Sequence, residues 1–161
     1  MKLEVKRANY AKDKDTIHDI RTRVFVLEQN VTQEEEVDGL DESAIHVIAY
    51  ADGKPVGTAR MLELESGPLS ASGGKGPLSA KQKVGGAKLG RMAVLRQYRD
   101  KGAGAAMARR LIEMARAMGM KEVVLDAQVD AIGFYEKLGF IAEGSVFMDA
   151  RIEHRKMRLK L

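Results

Sequence analysis

The chain has 161 residues, with 27 Lys or Arg, 23 Asp or Glu and no cysteine. This length suits one domain with its own core, so we expect a single domain over residues 1–161. The lack of cysteine excludes disulfides, a cysteine nucleophile and thiolate metal sites, and it favours a cytoplasmic location. No apolar run is long enough to cross a bilayer, and the N-terminus lacks a signal-peptide core, so neither membrane insertion nor secretion is predicted.

The charge is unevenly distributed along the chain. Residues 28–42 contain seven acidic side chains and no Lys or Arg, which leaves the remainder strongly basic. An acidic patch would attract a cation, whereas a basic surface would attract a phosphorylated ligand or a nucleic acid. Aromatic residues make up only 5% of the chain and do not alternate with basic ones. Base stacking therefore has little support, and we predict no nucleic-acid partner.

The N-terminal half is rich in strand patterns. Alternating residues predict a strand over 3–8. A stripe of apolar residues at helical spacing, Ile17, Ile20, Val24 and Leu27, predicts a helix over 13–29 that buries this stripe, with Asp13 or Asp15 as its cap. Two strand patterns around DGKP predict a hairpin over 44–65. Residues 66–87 are rich in Gly, Ser, Pro and Lys and too long for an ordinary connection, so they predict a flexible insertion, with a mobile lid as the alternative.

Strands and helices alternate in the C-terminal half. We predict a strand over 88–95, a helix that ends at Gly119, a strand over 121–128, a short helix ended by Gly139, and two terminal strands over 140–161. The buried face of the first of these helices is predicted to be Ala108, Leu111, Met114, Ala115 and Met118. Together with the N-terminal strands, this order predicts an α/β (α+β) domain, a mixed sheet with helices on both faces.

The bend before the predicted long helix is unusual. Gly102 and Gly104 lie in the first turn, where each glycine costs about 1 kcal/mol of helix stability relative to alanine. A helix N-terminus offers unpaired backbone N–H groups and the positive end of the dipole. Without side chains at these positions a phosphate can reach those groups, and Arg99 and Lys101 add positive charge. The bend therefore predicts a pyrophosphate site.

Two other glycine-rich phosphate motifs fit less well. A P-loop ends in Gly-Lys followed by Ser or Thr, and neither sequence occurs here. The dinucleotide-binding pattern G-x-G-x-x-G would need glycine where the chain has Met107. Asp126 nevertheless lies about 20 residues further on, at the spacing expected for a ribose ligand, so a nicotinamide-nucleotide site stays as an alternative.

Two motifs in sequence order resemble those of the GNAT N-acetyltransferases. The sequence RDKGAG at 99–104 is similar to the R/Q-x-x-G-x-G/A acetyl-CoA signature of that family, and DAQVDAIGFYEKLGF at 126–140 resembles its second signature. The sequences RVFVLEQNV and GTARML are similar to the ElaA and YjcF-like branch. The resemblance covers nearly the whole chain outside 66–87.

The resemblance implies a fold and a reaction. The GNAT fold has a mostly antiparallel sheet of about six to seven strands, with one splayed parallel pair. The implied activity is acetyl transfer from acetyl-CoA, as co-substrate, to a primary amine of a small molecule or peptide by direct attack, with no metal. A domain that binds acyl-CoA as a sensor without turnover is the alternative. Homodimers are frequent in such proteins, although the sequence is silent on assembly.

The resemblance also assigns roles to individual residues. It implies that Tyr135 protonates the departing thiolate and that Val94 offers its N–H to the oxyanion. Gln128 stands where many relatives have a cofactor-binding Asn. His154 falls where the subgroup often has a histidine, and it is a candidate for binding the acceptor amine. Glu28 is a second candidate on the basis of its charge, since a carboxylate favours a cationic amine. The implied cofactor-binding residues on the strand and in the pyrophosphate loop are Met92, Ala93, Val94, Arg99, Lys101, Gly102, Ala103, Gly104 and Ala105.

Overall fold

The computed structural model describes residues 1–64 and 85–161. The predicted insertion at 66–87 therefore lies outside the described residues, except for its last three. The strands are β1 (Leu3–Ala8), β2 (Ile45–Ala51), β3 (Lys54–Leu64), β4 (Gly86–Val94), β5 (Glu122–Gln128), β6 (Ile141–Asp149) and β7 (Ile152–Lys160). The α-helices in the described ranges are α1 (Tyr10–Arg21), α2 (Gln33–Glu36), α3 (Ala103–Ala117) and α4 (Ile132–Glu136). None of them is long and apolar enough to cross a membrane.

The strands form the mixed sheet that the sequence predicts. Hydrogen-bonded neighbours follow the order β1-β2-β3-β4-β5-β7-β6. The pairs β1–β2, β2–β3, β5–β7 and β6–β7 are antiparallel, whereas β4 and β5 run parallel. That parallel pairing joins Gly86–Lys88 to Glu122–Val124. Strand β4 thus begins two residues before the predicted Lys88, because Gly86 and Ala87 also pair with β5.

The described residues fall into two compact units. The first comprises Met1–Leu62 and Leu89–Leu111, and the second comprises Glu63–Lys88 and Ile112–Leu161. In the first unit, α1 begins at Tyr10, earlier than predicted, because Asn9 rather than an aspartate caps it by accepting from the Lys12 N–H at 3.2 Å. Asp13 completes the cap by accepting from the Asn9 N–H.

The chain leaves α1 through a π-helix over Thr22–Glu28, where the sequence predicts α-helix. The Gln29 N–H donates to the Val24 carbonyl, five residues back, at 3.1 Å. Because a π-turn takes more residues per turn than an α-turn, the phase of the predicted stripe shifts. Val24 stays buried at 4% exposure, but Leu27 is 72% exposed, so its predicted place in the core is wrong.

Helix α3 agrees with its predicted face until its last turn. Ala108, Leu111 and Ala115 are fully buried, and the charged side chains on the opposite face are exposed. The helix ends at Ala117, and Gly119 has φ +78°. Met118 therefore lies beyond the last helical turn and is exposed, although the sequence places it on the buried face.

The second unit is built around β5, β7 and α4. Val123, Leu125 and Ala127 alternate with less buried residues along β5, and Met157 on β7 is fully buried. Gly139 has φ +100° just after α4, which confirms the predicted glycine terminator.

Candidate functional site

The predicted pyrophosphate loop forms a sharp bend before α3. Asp100 and Gly102 both have left-handed backbone angles, φ +62° and +94°. Ala106 is hydrogen bonded to the Gly102 carbonyl at 3.0 Å. The N–H groups of the three preceding residues, 103–105, occupy the first turn, where amides have no partner inside the helix. Gly102 is exposed beside them, so the bend presents main chain rather than side chains.

Strand β4 also contains a residue with a left-handed backbone. Arg91 has φ +50°, which non-glycine residues adopt only when their surroundings hold them there. Its guanidinium donates to the Glu36 carbonyl at 3.2 and 3.0 Å, which holds it. Beyond this point the strand is closely packed, since a Cβ on Gly57 would lie 3.1 Å from the Ala93 carbonyl oxygen. The backbone that the resemblance assigns to the pantetheine arm is thus fixed from two sides.

Arg99, from the predicted loop, contacts Glu28 rather than projecting into solvent. Its Nε donates to the Val94 carbonyl at 2.9 Å, and its two terminal nitrogens donate to the two Glu28 carboxylate oxygens, one of them at 2.8 Å. Hydrogen bonding from Arg99 lowers the pKa of Glu28 below its usual value. Glu28 therefore stays ionised and faces a cation of its own chain.

Much of the acidic segment 28–42 is paired in the same way. Arg21 donates to Glu36 and, at 2.7 Å, to Asp41, and Arg60 donates to Asp38 and, at 2.9 Å, to Asp41. We call these five residues the buried cluster; Asp38, whose side chain is 28% exposed, is its outermost member. The Arg60 hydrogen bond holds the pKa of Asp38 well below its usual range. The buried carboxylates of the predicted acidic patch are thus neutralised by arginines of the first unit.

Tyr135 lies on α4 with its ring buried. Its ring meets those of Phe134 and Phe140 edge-on, at centroid distances of 4.9 and 5.8 Å. Burial raises the pKa of Tyr135 to about 12, and neither a charge nor a hydrogen bond contributes to that shift. The phenol is therefore neutral at physiological pH and keeps its proton for donation.

Gln128 and His154 are cross-strand neighbours in the second unit, at the end of β5. The His154 Nδ1 lies 2.7 Å from the Ile152 carbonyl oxygen, which can only accept, so this nitrogen carries the proton. In a neutral ring with that tautomer, the other nitrogen, Nε2, is a hydrogen-bond acceptor. The ring stacks on Phe147 at a centroid distance of 5.8 Å.

The other two histidines have structural partners. His46 is buried, its Nε2 lies 2.8 Å from the Asp41 carbonyl oxygen, and its ring stacks on Tyr10. His18 Nε2 lies 2.7 Å from the Tyr10 hydroxyl. In the described ranges no three His, Asp or Glu side chains come together as metal ligands.

The predicted site residues are divided between the two units. Gln128, Tyr135 and His154 belong to the second unit. The first unit holds the predicted strand residues, the loop residues and Glu28, which are Glu28, Met92, Ala93, Val94, Arg99, Lys101, Gly102, Ala103, Gly104 and Ala105. Within the first unit, the structure brings Glu28, Arg99 and Val94 into direct contact.

The sequence profile of the acetyltransferase (GNAT) family matches residues 14–140. The chain belongs to this family. It is 33% identical over 155 residues to YjcF of Bacillus subtilis (strain 168), an uncharacterised N-acetyltransferase, with 94% of this chain and 97% of YjcF covered. Escherichia coli ElaA has a similar structure, with a TM-score of 0.75, 22% identity, and 98% and 99% of the two chains covered. So does YncA of Salmonella typhimurium, solved with its cofactor acetyl-CoA, with a TM-score of 0.69, 18% identity and 98% and 93% coverage.

GNAT proteins use acetyl-CoA, and the bend of this chain fits a diphosphate. The amides of 103–105 lie in the first turn of α3 without partners inside the helix, Gly102 beside them has no side chain, and the exposed Lys101 adds a positive charge. The left-handed φ of Gly102 also favours glycine at this position, since a residue with a Cβ would be strained there.

Two residues that constrain β4 were not predicted from the sequence. Arg91 is held at a positive φ by its bonds to the Glu36 carbonyl, and Gly57 allows β3 to approach β4 closely. A glycine inside a strand pattern is a signal of such an approach, so Gly57 was open to prediction. Nothing in the local sequence marks Arg91, because its partners Glu36 and Asp38 are more than 50 residues away.

Proposed function

We propose that this protein transfers the acetyl group of acetyl-CoA to a primary amine by direct attack, in a complex that holds both substrates. Membership of the GNAT family and the near full-length similarity to a protein named as an N-acetyltransferase support the acyl donor and the kind of acceptor. The observation that carries the proposal is the match of residues 14–140 to the family, within which Tyr135 lies on α4 as a phenol that is protonated at physiological pH. A protonated phenol can donate to a thiolate leaving group, and the burial that raises its pKa to about 12 makes it a weaker acid than a free tyrosine.

Acetyl-CoA supplies the thioester carbonyl that the amine nitrogen attacks, so that a C–N bond forms as the C–S bond breaks. In this proposal the Val94 N–H donates to the carbonyl oxygen as it gains negative charge. Tyr135 gives its proton to the departing sulfur, the amine nitrogen loses a proton to solvent as it becomes an amide, and solvent returns a proton to Tyr135. In its neutral form His154 accepts a hydrogen bond from the acceptor amine at Nε2, which places that residue on the acceptor side.

The cofactor contacts in this proposal are mainly contacts to main chain. The amides of 103–105 and Lys101 hold the diphosphate, while the backbone of Met92 and Ala93 pairs with the pantetheine arm as an added strand would. Gln128, at the end of β5, offers a side-chain amide to the same ligand.

Substitution of Tyr135 by Phe tests the chemistry. A panel of primary amines is first screened with acetyl-CoA for release of free thiol, and the best acceptor is used for kinetics. We expect Tyr135→Phe to lower kcat by about 100-fold, because the leaving group loses its acid, with coenzyme A affinity changed less than about threefold. Tyr50→Phe, in the first unit, is the matched control. If no amine is acetylated by the parent protein although it binds coenzyme A, the sensor alternative replaces the transferase.

Substitution of Gly104 by Val tests the cofactor loop. The new side chain would crowd the first turn of α3, so we expect the affinity for coenzyme A to fall by about tenfold or more while the melting temperature changes little. Ala117→Val, at the other end of the same helix, controls for the effect of valine on helix stability. Calorimetry with coenzyme A measures both, and equal affinities would contradict the loop assignment.

A further inference from the structure

Glu28 is placed by an uncommon piece of backbone. It is the last residue of the π-helix, and the chain turns immediately afterwards through Asn30 at φ +61°. The π-turn brings Val24 into one apolar cluster with Ala93 of β4, so the π-helix packs against the strand that ends at Val94. Short π-helical turns are rare and are found frequently at functional sites.

Arg99 links this carboxylate to the strand. With its terminal nitrogens on Glu28 and its Nε on the Val94 carbonyl, the planar guanidinium is held at three of its five N–H groups. The next amide is also held, because the Leu95 N–H donates to the Val56 carbonyl at 2.9 Å. The peptide between Val94 and Leu95 is thus fixed at both its oxygen and its nitrogen.

We propose that Glu28 is a positioning residue that acts through Arg99 to fix the end of β4. The inference rests on the proposed function, which assigns the neighbouring Val94 N–H to the oxyanion. Bidentate pairing sets the plane of the guanidinium, and that plane aims Nε at the Val94 carbonyl. Glu28 then contributes to acetyl transfer by holding Arg99, and through Arg99 it holds the end of β4. Its carboxylate is occupied by Arg99 and is not the group that binds the acceptor amine.

The experiment is a double-mutant cycle with Glu28→Gln and Arg99→Lys. Arg99→Lys keeps the positive charge but loses the fork, so it cannot hold Glu28 and Val94 together. We expect each single variant to lower kcat by about tenfold, with KM for acetyl-CoA changed less than about threefold, and the double variant to resemble either single one. Glu113→Gln, an exposed residue of α3, is the matched control and should behave as the parent.

Two readouts are independent of turnover. Amide hydrogen exchange at Leu95 should become faster in Glu28→Gln and Arg99→Lys and not in Glu113→Gln, since only the first two free the Val94 carbonyl. Calorimetry with coenzyme A gives the affinity directly. If Glu28 merely withholds Arg99 from the diphosphate, Glu28→Gln would bind coenzyme A several-fold more tightly, and the proposal would be overturned.

Additive losses in kcat, or unchanged exchange at Leu95, would equally overturn it. If Glu28→Gln raised only the KM for the amine and preserved kcat, Glu28 would bind the acceptor amine instead, and the proposal would be wrong. Failure of the proposed function is a separate result. In that case the parent protein acetylates no amine, while exchange at Leu95 still decides whether Glu28 positions the strand.

Discussion

Two sets of carboxylate–arginine contacts arise from the same acidic segment, and they differ in depth. In the buried cluster, Arg21, Glu36 and Arg60 are each no more than 4% exposed. In the other set, the side chains of Glu28 and Arg99 are 21% and 35% exposed and adjoin the predicted cofactor loop. Ions deep in a protein must be paired to be tolerated, whereas partly exposed pairs add little stability. The same residue types therefore stabilise the fold at one depth and can serve a site at the other.

Breaking the buried cluster should have the largest effect on stability. Arg21→Met leaves Glu36 and Asp41 without their strongest partner, and we expect a loss of about 3–5 kcal/mol in the free energy of unfolding. Urea denaturation followed by circular dichroism measures it. Arg23→Met is the control two residues away, since its pair with Asp19 is well exposed and should contribute only about 0.5 kcal/mol. Similar losses of stability in both variants would contradict the expected difference between buried and exposed ion pairs.

Acid should weaken the buried cluster through its two aspartates. The pKa of Asp38 is lowered chiefly by the Arg60 hydrogen bond, and that of Asp41 is also lowered, because its arginine partners outweigh its burial. A carboxylate whose folded pKa lies below its unfolded value stabilises the fold above the unfolded value, near pH 4, and that contribution is lost as the pH falls further.

Urea midpoints measured between pH 6 and pH 3 should therefore fall steeply toward the acid end in the parent protein. Asp38→Asn should start lower and show a shallower decline, because one of the linked protons is gone. Parallel curves for parent and variant would mean that Asp38 is not part of the acid response.

Much of the fold follows from local sequence. The strand β1, the hairpin of β2 and β3, helix α3 with its terminator Gly119, and the last two strands are set by periodicity and turn residues within a few positions of one another. The π-helix does not follow, since the stripe Ile17, Ile20, Val24 and Leu27 fits an ordinary α-helix. In the structure Val24 of the π-helix packs with Ala93, which lies far along the chain, so this contact cannot be found in the local sequence.

The candidate site divides in the same way. The loop with Gly102 and Gly104 and the helix with Tyr135 could be predicted because each is a compact motif. The contact of Glu28 with Arg99 joins residues separated by 71 positions, so no local pattern reveals it. The charge of Glu28 predicts a place on the acceptor side, because the local sequence does not show that Arg99 faces this carboxylate.

Of the two sets of contacts, the pair of Glu28 and Arg99 should have the smaller effect on stability. Glu28→Gln keeps the shape of the side chain and one hydrogen-bond acceptor, and solvent reaches both partners, so we expect a loss below about 1 kcal/mol. Glu36→Gln is the matched variant in the buried cluster, and it should cost several-fold more, because Arg21 would lose its ionic partner at 3% exposure. Urea denaturation of the two variants side by side measures the ratio. If Glu28→Gln destabilised the protein as much as Glu36→Gln, its effect on acetyl transfer would have to be attributed to partial unfolding rather than to positioning. The two sets of contacts would then not differ in their contribution to stability.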